Sequence, residues 1–443
     1  MDFTKFQEAR LIPVTGVKGD QDQERRAASA LLAVLVGVPE FARVLLKEAG
    51  APAGKIQTFI EPEFELDGKR IRPDGLISVE RAGKKWVALV EFKTGKSTLD
   101  ANQINSYLEI ARVAKFDSLI TISNEVLTLS GEHPTTGIDA RKLRSTKLTH
   151  FSWIRIITEA LIQSEHRGVK DSDQAWILRE LIRFLQSEYS GANEFDDMGP
   201  NWVGVREAVV NGSLLSSDKR ILDVIAKYES LMRFVAFKLS ARLGVQAQEL
   251  GTKQAKADPK KHLQAQTSQF VATKTLVGAI KVPGTVSDIE IVADLRAGQI
   301  LCSMEIQAPQ DGRSLTRVNW LLKQLPNPLT NVRVETYAKR GRSPEIAIPL
   351  TKALEDPRRL VPPQDKEVSF FKLVSVSKMG AKRGSGSGSF IESVTSAVET
   401  VYEDVLQTLR PWSQKAPKLS TSVTDFILPE TADEPEVLLD ESR

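Results

Sequence analysis

Arg72-Pro73-Asp74-Gly75 is followed, with sixteen residues between the aspartate and the glutamate, by Trp86-Val87-Ala88-Leu89-Val90-Glu91-Phe92-Lys93, an apolar run that closes on Glu-Phe-Lys. The run has the length and composition of a strand. Side chains alternate along a strand, so Glu91 and Lys93 project from one face roughly 6 to 7 Å apart while Phe92 points into the opposite layer. The stretch from Gly75 to Arg81 is also strand-like, and Ala82-Gly83-Lys84-Lys85 supplies the turn of a hairpin. A hairpin of this length brings Asp74 beside Glu91.

Two carboxylates and an ammonium at one point are the minimum equipment of a metal-dependent nuclease. Mg²⁺, or Mn²⁺ in its place, takes oxygen ligands and is commonly held by one or two carboxylates together with substrate phosphate. Asp74 and Glu91 fit that demand, and Lys93 is the candidate to hold or deprotonate a water or to offset charge building on the scissile phosphate. Each part alone has an ordinary explanation. Asp-Gly is a common turn dipeptide, and Glu-x-Lys on a half-buried strand is often only a solvated ion pair. The ordered combination carries the chemistry.

These residues resemble the PD-(D/E)XK nuclease superfamily: Pro73-Asp74, then Glu91-x-Lys93. Ten residues after the lysine, Gln103-Ile104-Asn105-Ser106-Tyr107 resembles the Gln-x-x-x-Tyr element of the RecB-like branch. The helix carrying it is expected from about 99 to 113, with Ile104, Leu108 and Ala111 on one apolar stripe and Gln103 and Tyr107 one turn apart on an adjoining face. The resemblance implies an α/β restriction-endonuclease-like core of order αβββαβ, with Asp74, Glu91, Lys93, Gln103 and Tyr107 as catalytic residues. It also implies a third acid on the first helix. Glu24, in Asp22-Gln23-Glu24-Arg25-Arg26, stands in the matching place, which makes Glu24, Asp74 and Glu91 the expected metal ligands. Glu24 could equally favour a helix N-terminus electrostatically. Glu61, Glu63 and Glu65 share one face of the preceding strand-like stretch and read as a solvated edge.

At 443 residues the chain has room for several cores. The resemblance covers residues 1–155, read as helices over 22–36 and 40–49, strands over 56–65, 75–81 and 86–93, a helix over 99–113, and strands over 117–122 and 147–152. Residues 156–250 have helical periodicity, including Ile177, Leu178, Leu181, Ile182 and Leu185 on one face. Within them, the turn region Gly191 to Pro200 carries three acids. Polar residues 251–267 mark a boundary, and 268–375 alternate as strands around one helix, an α+β accessory domain. Its Arg313, Arg317 and Lys323, and the turn Lys339-Arg340-Gly341-Arg342, are basic spots suited to phosphate. Residues 376–443 read as a Gly/Ser linker at 380–389, a short helix and an acidic tail, with seven acids and one arginine from Asp425 onward.

A net charge of +3 is too small to demonstrate nucleic-acid binding by itself, so any basic groove must be local. Cys302 is the sole cysteine, which excludes a disulfide framework and a cysteine-rich zinc site. His133, His150, His166 and His262 are scattered along the chain and give a histidine-based centre no support. The N-terminus lacks a basic region followed by an apolar core, and the nearby apolar run from Ala30 to Val38 is far short of a membrane span. A soluble, cytoplasmic protein without a membrane partner is the expectation. Nucleic acid, DNA above all, is the expected substrate, and the C-terminal module is the place expected to take a protein partner or a second copy of the chain. The resemblance further implies a defence or repair setting. The alternative from another class is a catalytically quiet nucleic-acid-binding or assembly protein that keeps the fold, but such a protein is expected to have lost at least one of the three core residues.

Overall fold

The computed structural model describes residues 11–413 apart from 14–15, 17–18, 126–132, 193–194, 252–257 and 364–365. The acidic tail from Asp425 lies outside the described residues. The chain is a mixed α/β protein, and Met1–Pro411 forms one compact unit.

Its N-terminal half is built on a five-stranded sheet. The strands are β1 (Lys55–Ile60), β4 (Gly75–Arg81), β5 (Lys84–Phe92), β6 (Ser118–Ser123) and β7 (Lys147–Ser152), in the order β1-β4-β5-β6-β7. Two short strands, β2 (Phe64–Leu66) and β3 (Lys69–Ile71), form a separate ribbon between β1 and β4. The β1-β4-β5 part is antiparallel, and β5-β6-β7 is parallel. Gly75 pairs with Val90 across the antiparallel β4–β5 hairpin, so the same register continued by one residue places Asp74 opposite Glu91.

Alternation along β5 sorts its side chains between two cores. Ala88, Val90 and Phe92 pack with α1 (Asp20–Gly37), α2 (Pro39–Ala49), α4 (Trp153–Ile162) and α5 (Ser172–Leu185). Leu89 faces the other way, against Ile104, Leu108 and Ala111 of α3 (Ala101–Ala114). Phe92 is fully buried and stacks on Trp153 at 5.9 Å. Removing such a ring costs about 3 to 5 kcal/mol, so the residue between Glu91 and Lys93 is an anchor for both. Helix α3 starts where Asp100 accepts the Gln103 N–H at 2.9 Å.

Among the described residues of the second half, the helices form no separate core. Helices α6 (Trp202–Val210) and α7 (Arg220–Leu243) share one hydrophobic core with a seven-stranded antiparallel sheet. That sheet consists of β8 (Gln248–Glu249), β9 (Thr275–Lys281), β10 (Ile289–Asp294), β11 (Gln299–Gln307), β12 (Val332–Ala338), β13 (Ile346–Pro349) and β14 (Val368–Lys378), ordered β13-β12-β14-β11-β10-β9-β8. The remaining helices are α8 (Pro259–Thr273), α9 (Ser314–Leu322), α10 (Leu350–Glu355) and α11 (Phe390–Asp404). Helices α4 and α5, expected mainly in the middle segment, belong to the core of the first sheet, and α4 also packs on α7.

Three local readings differ from the sequence expectation. Strand alternation is expected from residue 268, but α8 runs to Thr273, capped by Asp258 and stopped by Lys274 at φ 61°. The Gly/Ser stretch is a folded loop, not a free linker. Ala381 and Lys382 both donate to the Gly388 carbonyl, and Met198 donates to Arg383 O at 2.9 Å. Any side chain at Gly380 would collide with the Ser389 carbonyl, so this glycine serves close backbone approach. The loop then delivers Phe390 into the core against Trp202, ring centroids 4.2 Å apart. Arg317 is also not a free phosphate contact: it is buried and donates to the carbonyls of Gly312, Val368 and Gln310. Among the described residues no single helix is long and apolar enough to cross a membrane.

Candidate active site

The sequence-expected residues meet at one end of the first sheet. Glu91, near the end of β5, is 0% exposed, and its Oε1 accepts from Lys93 Nζ at 2.6 Å. The same ammonium donates to Glu24 Oε1 at 3.3 Å, which ties α1 to the strand, and to the Phe92 carbonyl at 2.9 Å. Asp74 Oδ2 accepts the Phe92 N–H at 2.7 Å, so the backbone between Glu91 and Lys93 fixes the third carboxylate. On α3, Gln103 Nε2 donates to the Tyr107 hydroxyl at 2.9 Å, and that hydroxyl donates to the Arg72 carbonyl at 3.4 Å. Trp153 Nε1 donates to Lys93 O at 2.8 Å and completes the support.

Burial and mutual repulsion set the charges. The Glu91 carboxyl is pushed up to about 8, first by burial and then by the charge of Asp74, with Lys93 pulling the other way. Glu24 is raised by burial, against the pull of Lys93. Burial alone would lower Lys93, but the charges of Glu91, Glu24 and Asp74 outweigh it and hold it above the ordinary lysine range. Tyr107 is raised by burial and by the charge of Glu91, and is a neutral phenol. Lys93 is therefore an ammonium at neutral pH, a donor and not a base.

The acids suit a divalent cation in chemistry. Glu91 Oε2 is buried, and burial with the neighbouring Asp74 charge keeps the carboxyl protonated, a repulsion that a divalent cation would relieve. Asp74 and Glu91 fit such an ion. Among the described residues no group of three or more His, Cys, Asp or Glu stands in ligand geometry, and Glu24 reaches the others through Lys93 Nζ.

The strand register adds residues that the sequence reading passed over. Glu91 pairs with Thr121 on β6, and Thr121 with His150 on β7, so the three lie in one row across the sheet. Thr121 Oγ1 lies 2.8 Å from His133 Nε2 and 3.0 Å from His150 Nδ1. Their partners fix the protons. His150 Nε2 must donate to the Glu125 carbonyl at 2.8 Å, leaving Nδ1 to accept from Thr121. The Thr135 N–H donates to His133 Nδ1, so His133 Nε2 donates to Thr121. Both rings are neutral, each pushed down to about 4 by burial. Two of the four scattered histidines thus meet beside the site: the parallel register of β6 and β7 sets His150 beside Thr121, and His133 reaches the same hydroxyl from outside the strands.

Glu125 Oε2 in turn accepts the Leu99 N–H at 3.3 Å, so this network reaches the segment that leads into α3. The acidic turn at 191–200 also braces the site and holds no metal cluster among its described residues. Gly191 O accepts from Gly95 N at 2.8 Å, and Asn124 Nδ2 donates to both glycine carbonyls at 2.9 Å. A side chain at Gly191 would meet Thr94 and Gln23. Glu61 and Glu63 are not a bare edge: they pair with Arg25 and Arg72. In comparisons with protein-family models and with curated proteins, the chain matches none.

Proposed function

We propose that this chain is a divalent-cation-dependent nuclease that hydrolyses phosphodiester bonds in nucleic acid, DNA above all. The observation that carries the reading is the convergence of Asp74, Glu91 and Lys93 with Glu24 from α1 and the Gln103–Tyr107 pair from α3. The strand order, with an antiparallel hairpin feeding parallel strands and helices on both faces, supports a restriction-endonuclease-like core. The paired Gln103 and Tyr107 support the RecB-like branch.

Asp74 and Glu91 would hold Mg²⁺ or Mn²⁺, with Glu24 the third acid beside them. When bound, such an ion polarises a phosphoryl oxygen and lowers the pKa of water. The protein's own part follows from the charges. Lys93 stays protonated among the acids, where an ammonium offsets negative charge building on phosphate. Trp153, stacked on Phe92, holds the Lys93 backbone carbonyl. Gln103 holds the Tyr107 hydroxyl toward the Arg72 carbonyl and so steadies the turn that carries Asp74. Cleavage assays on the protein and its Asp74→Ala, Glu91→Ala and Lys93→Ala variants test the assignment. All three are expected to lose activity while remaining folded.

A further inference from the structure

Next to Asp74 in the backbone hydrogen bonding, Glu61 sets one carboxylate between two guanidiniums. Glu61 Oε1 is 3.1 Å from Arg25 Nε, and Glu61 Oε2 is 3.0 Å from Arg72 Nη1, with Glu63 a further 3.8 Å from Arg72 Nε. Each member is tied to a site residue. Arg25 follows Glu24 on α1, the Arg72 carbonyl accepts from Tyr107, and the Glu61 N–H donates to the Asp74 carbonyl at 3.0 Å.

Glu61 reaches this place through a left-handed backbone, φ 48°, at the end of β1. That conformation is uncommon for a residue with a side chain and persists only where the surroundings hold it. Two arginines from different elements converging on one anion position have the geometry of phosphate recognition. Both are more than half exposed, 68% and 52% by side chain, so the position is open to a polyanion.

We infer that Arg25 and Arg72 form the seat of a backbone phosphate of the polynucleotide, and that the Glu61 carboxylate fills the seat until substrate displaces it. This inference rests on the nuclease reading for its ligand class. It assigns Glu61 as an internal competitor whose charge lowers affinity for nucleic acid. Exposed ion pairs are weak, so displacement is easy and the effect modest.

The test is binding, read apart from cleavage. Anisotropy of a labelled 20-nucleotide DNA strand, and of the same strand in duplex, is measured across a salt series in EDTA and in Ca²⁺. Glu61→Gln is expected to tighten binding roughly twofold to fivefold at low salt. Arg25→Gln and Arg72→Gln are expected to weaken it and to lower the slope of log affinity against log salt by about one each. Lys85→Gln, exposed near the start of β5 beside the hairpin turn and at the end of the strand far from Glu91, is the control and should leave the slope unchanged. Melting curves show that each variant is folded, and the isosteric Glu61→Gln carries the sign of the effect by itself. Unchanged or weaker binding by Glu61→Gln, or equal losses in Lys85→Gln and the arginine variants, overturns the inference. If these shifts occur but the protein cleaves nothing, the seat stands and the nuclease reading falls. If it cleaves but no shift occurs, the seat falls alone.

Discussion

Replacing Glu91 by glutamine should change how stability depends on pH, and the structure sets both sign and size. The Glu91 carboxyl is held at about 8 in the folded metal-free protein, against 4.5 as the ordinary value. Between these values the folded state carries a proton that the unfolded state lacks. The associated stability is fully present below pH 4.5 and is lost as pH rises through 8, at about 1.4 kcal/mol per unit as a ceiling. Lys93 works against part of this, since its ammonium favours the ionised acid. Glutamine keeps the shape and a carbonyl for Lys93 but cannot ionise. The stability of the protein relative to Glu91→Gln should therefore fall by about 2 to 4 kcal/mol between pH 5 and pH 8. Urea denaturation of both proteins in EDTA at several pH values measures it. Added Mg²⁺ should reverse the trend, because a cation displaces the proton and binds about tenfold more tightly per pH unit below 8. Parallel stability curves in EDTA would refute the reasoning about burial and mutual repulsion at Glu91.

Three further outcomes are expected. Gln103→Ala and Tyr107→Phe should lower cleavage about tenfold or less, since they steady the Asp74 turn through Arg72 and hold no cation; unchanged rates would remove the RecB-like refinement. The His133 and His150 rings, held at about 4 against an ordinary 6.5, contribute stability present above pH 6.5 and lost as pH falls toward 4. His150→Gln should flatten that acid loss, as followed by hydrogen exchange at Leu99, and an unchanged acid profile would contradict it. Truncation after Ser389 should collapse the second core, because Phe390, Val394, Val398 and Val401 are buried there, whereas truncation after Ser413 should leave the melting temperature unchanged. Equal melting temperatures for the two truncations would contradict the packed helix.

The first sheet was legible because its signals are local. Alternation in β5 forecasts the two faces, and the Ala82-Gly83 turn forecasts the hairpin that aligns Asp74 with Glu91. The strand expected over 56–65 is broken at Glu61, whose left-handed backbone answers to Arg25 and Arg72, partners distant in sequence. His133 and His150 meet at Thr121, one from outside the strands and one through the parallel register of β6 and β7, and no residue pattern states either. Glycine and serine at 380–389 have the composition of a linker, yet the same glycines permit the close backbone contacts that fold the loop. Composition reports what a chain permits, and these contacts depend on what lies opposite. Arg317 shows the same limit, as a basic residue spent on three carbonyls.

The most direct measurement is cleavage by the purified protein of plasmid, linear duplex, single-stranded DNA and RNA, with Mg²⁺, Mn²⁺ or EDTA, alongside the Asp74→Ala, Glu91→Ala and Lys93→Ala variants. Cleavage of at least one DNA substrate with Mg²⁺ or Mn²⁺, abolished by EDTA and by each substitution in a folded protein, is the predicted result. No cleavage of any substrate by the unaltered protein, or full activity in any one of the three variants, would contradict it.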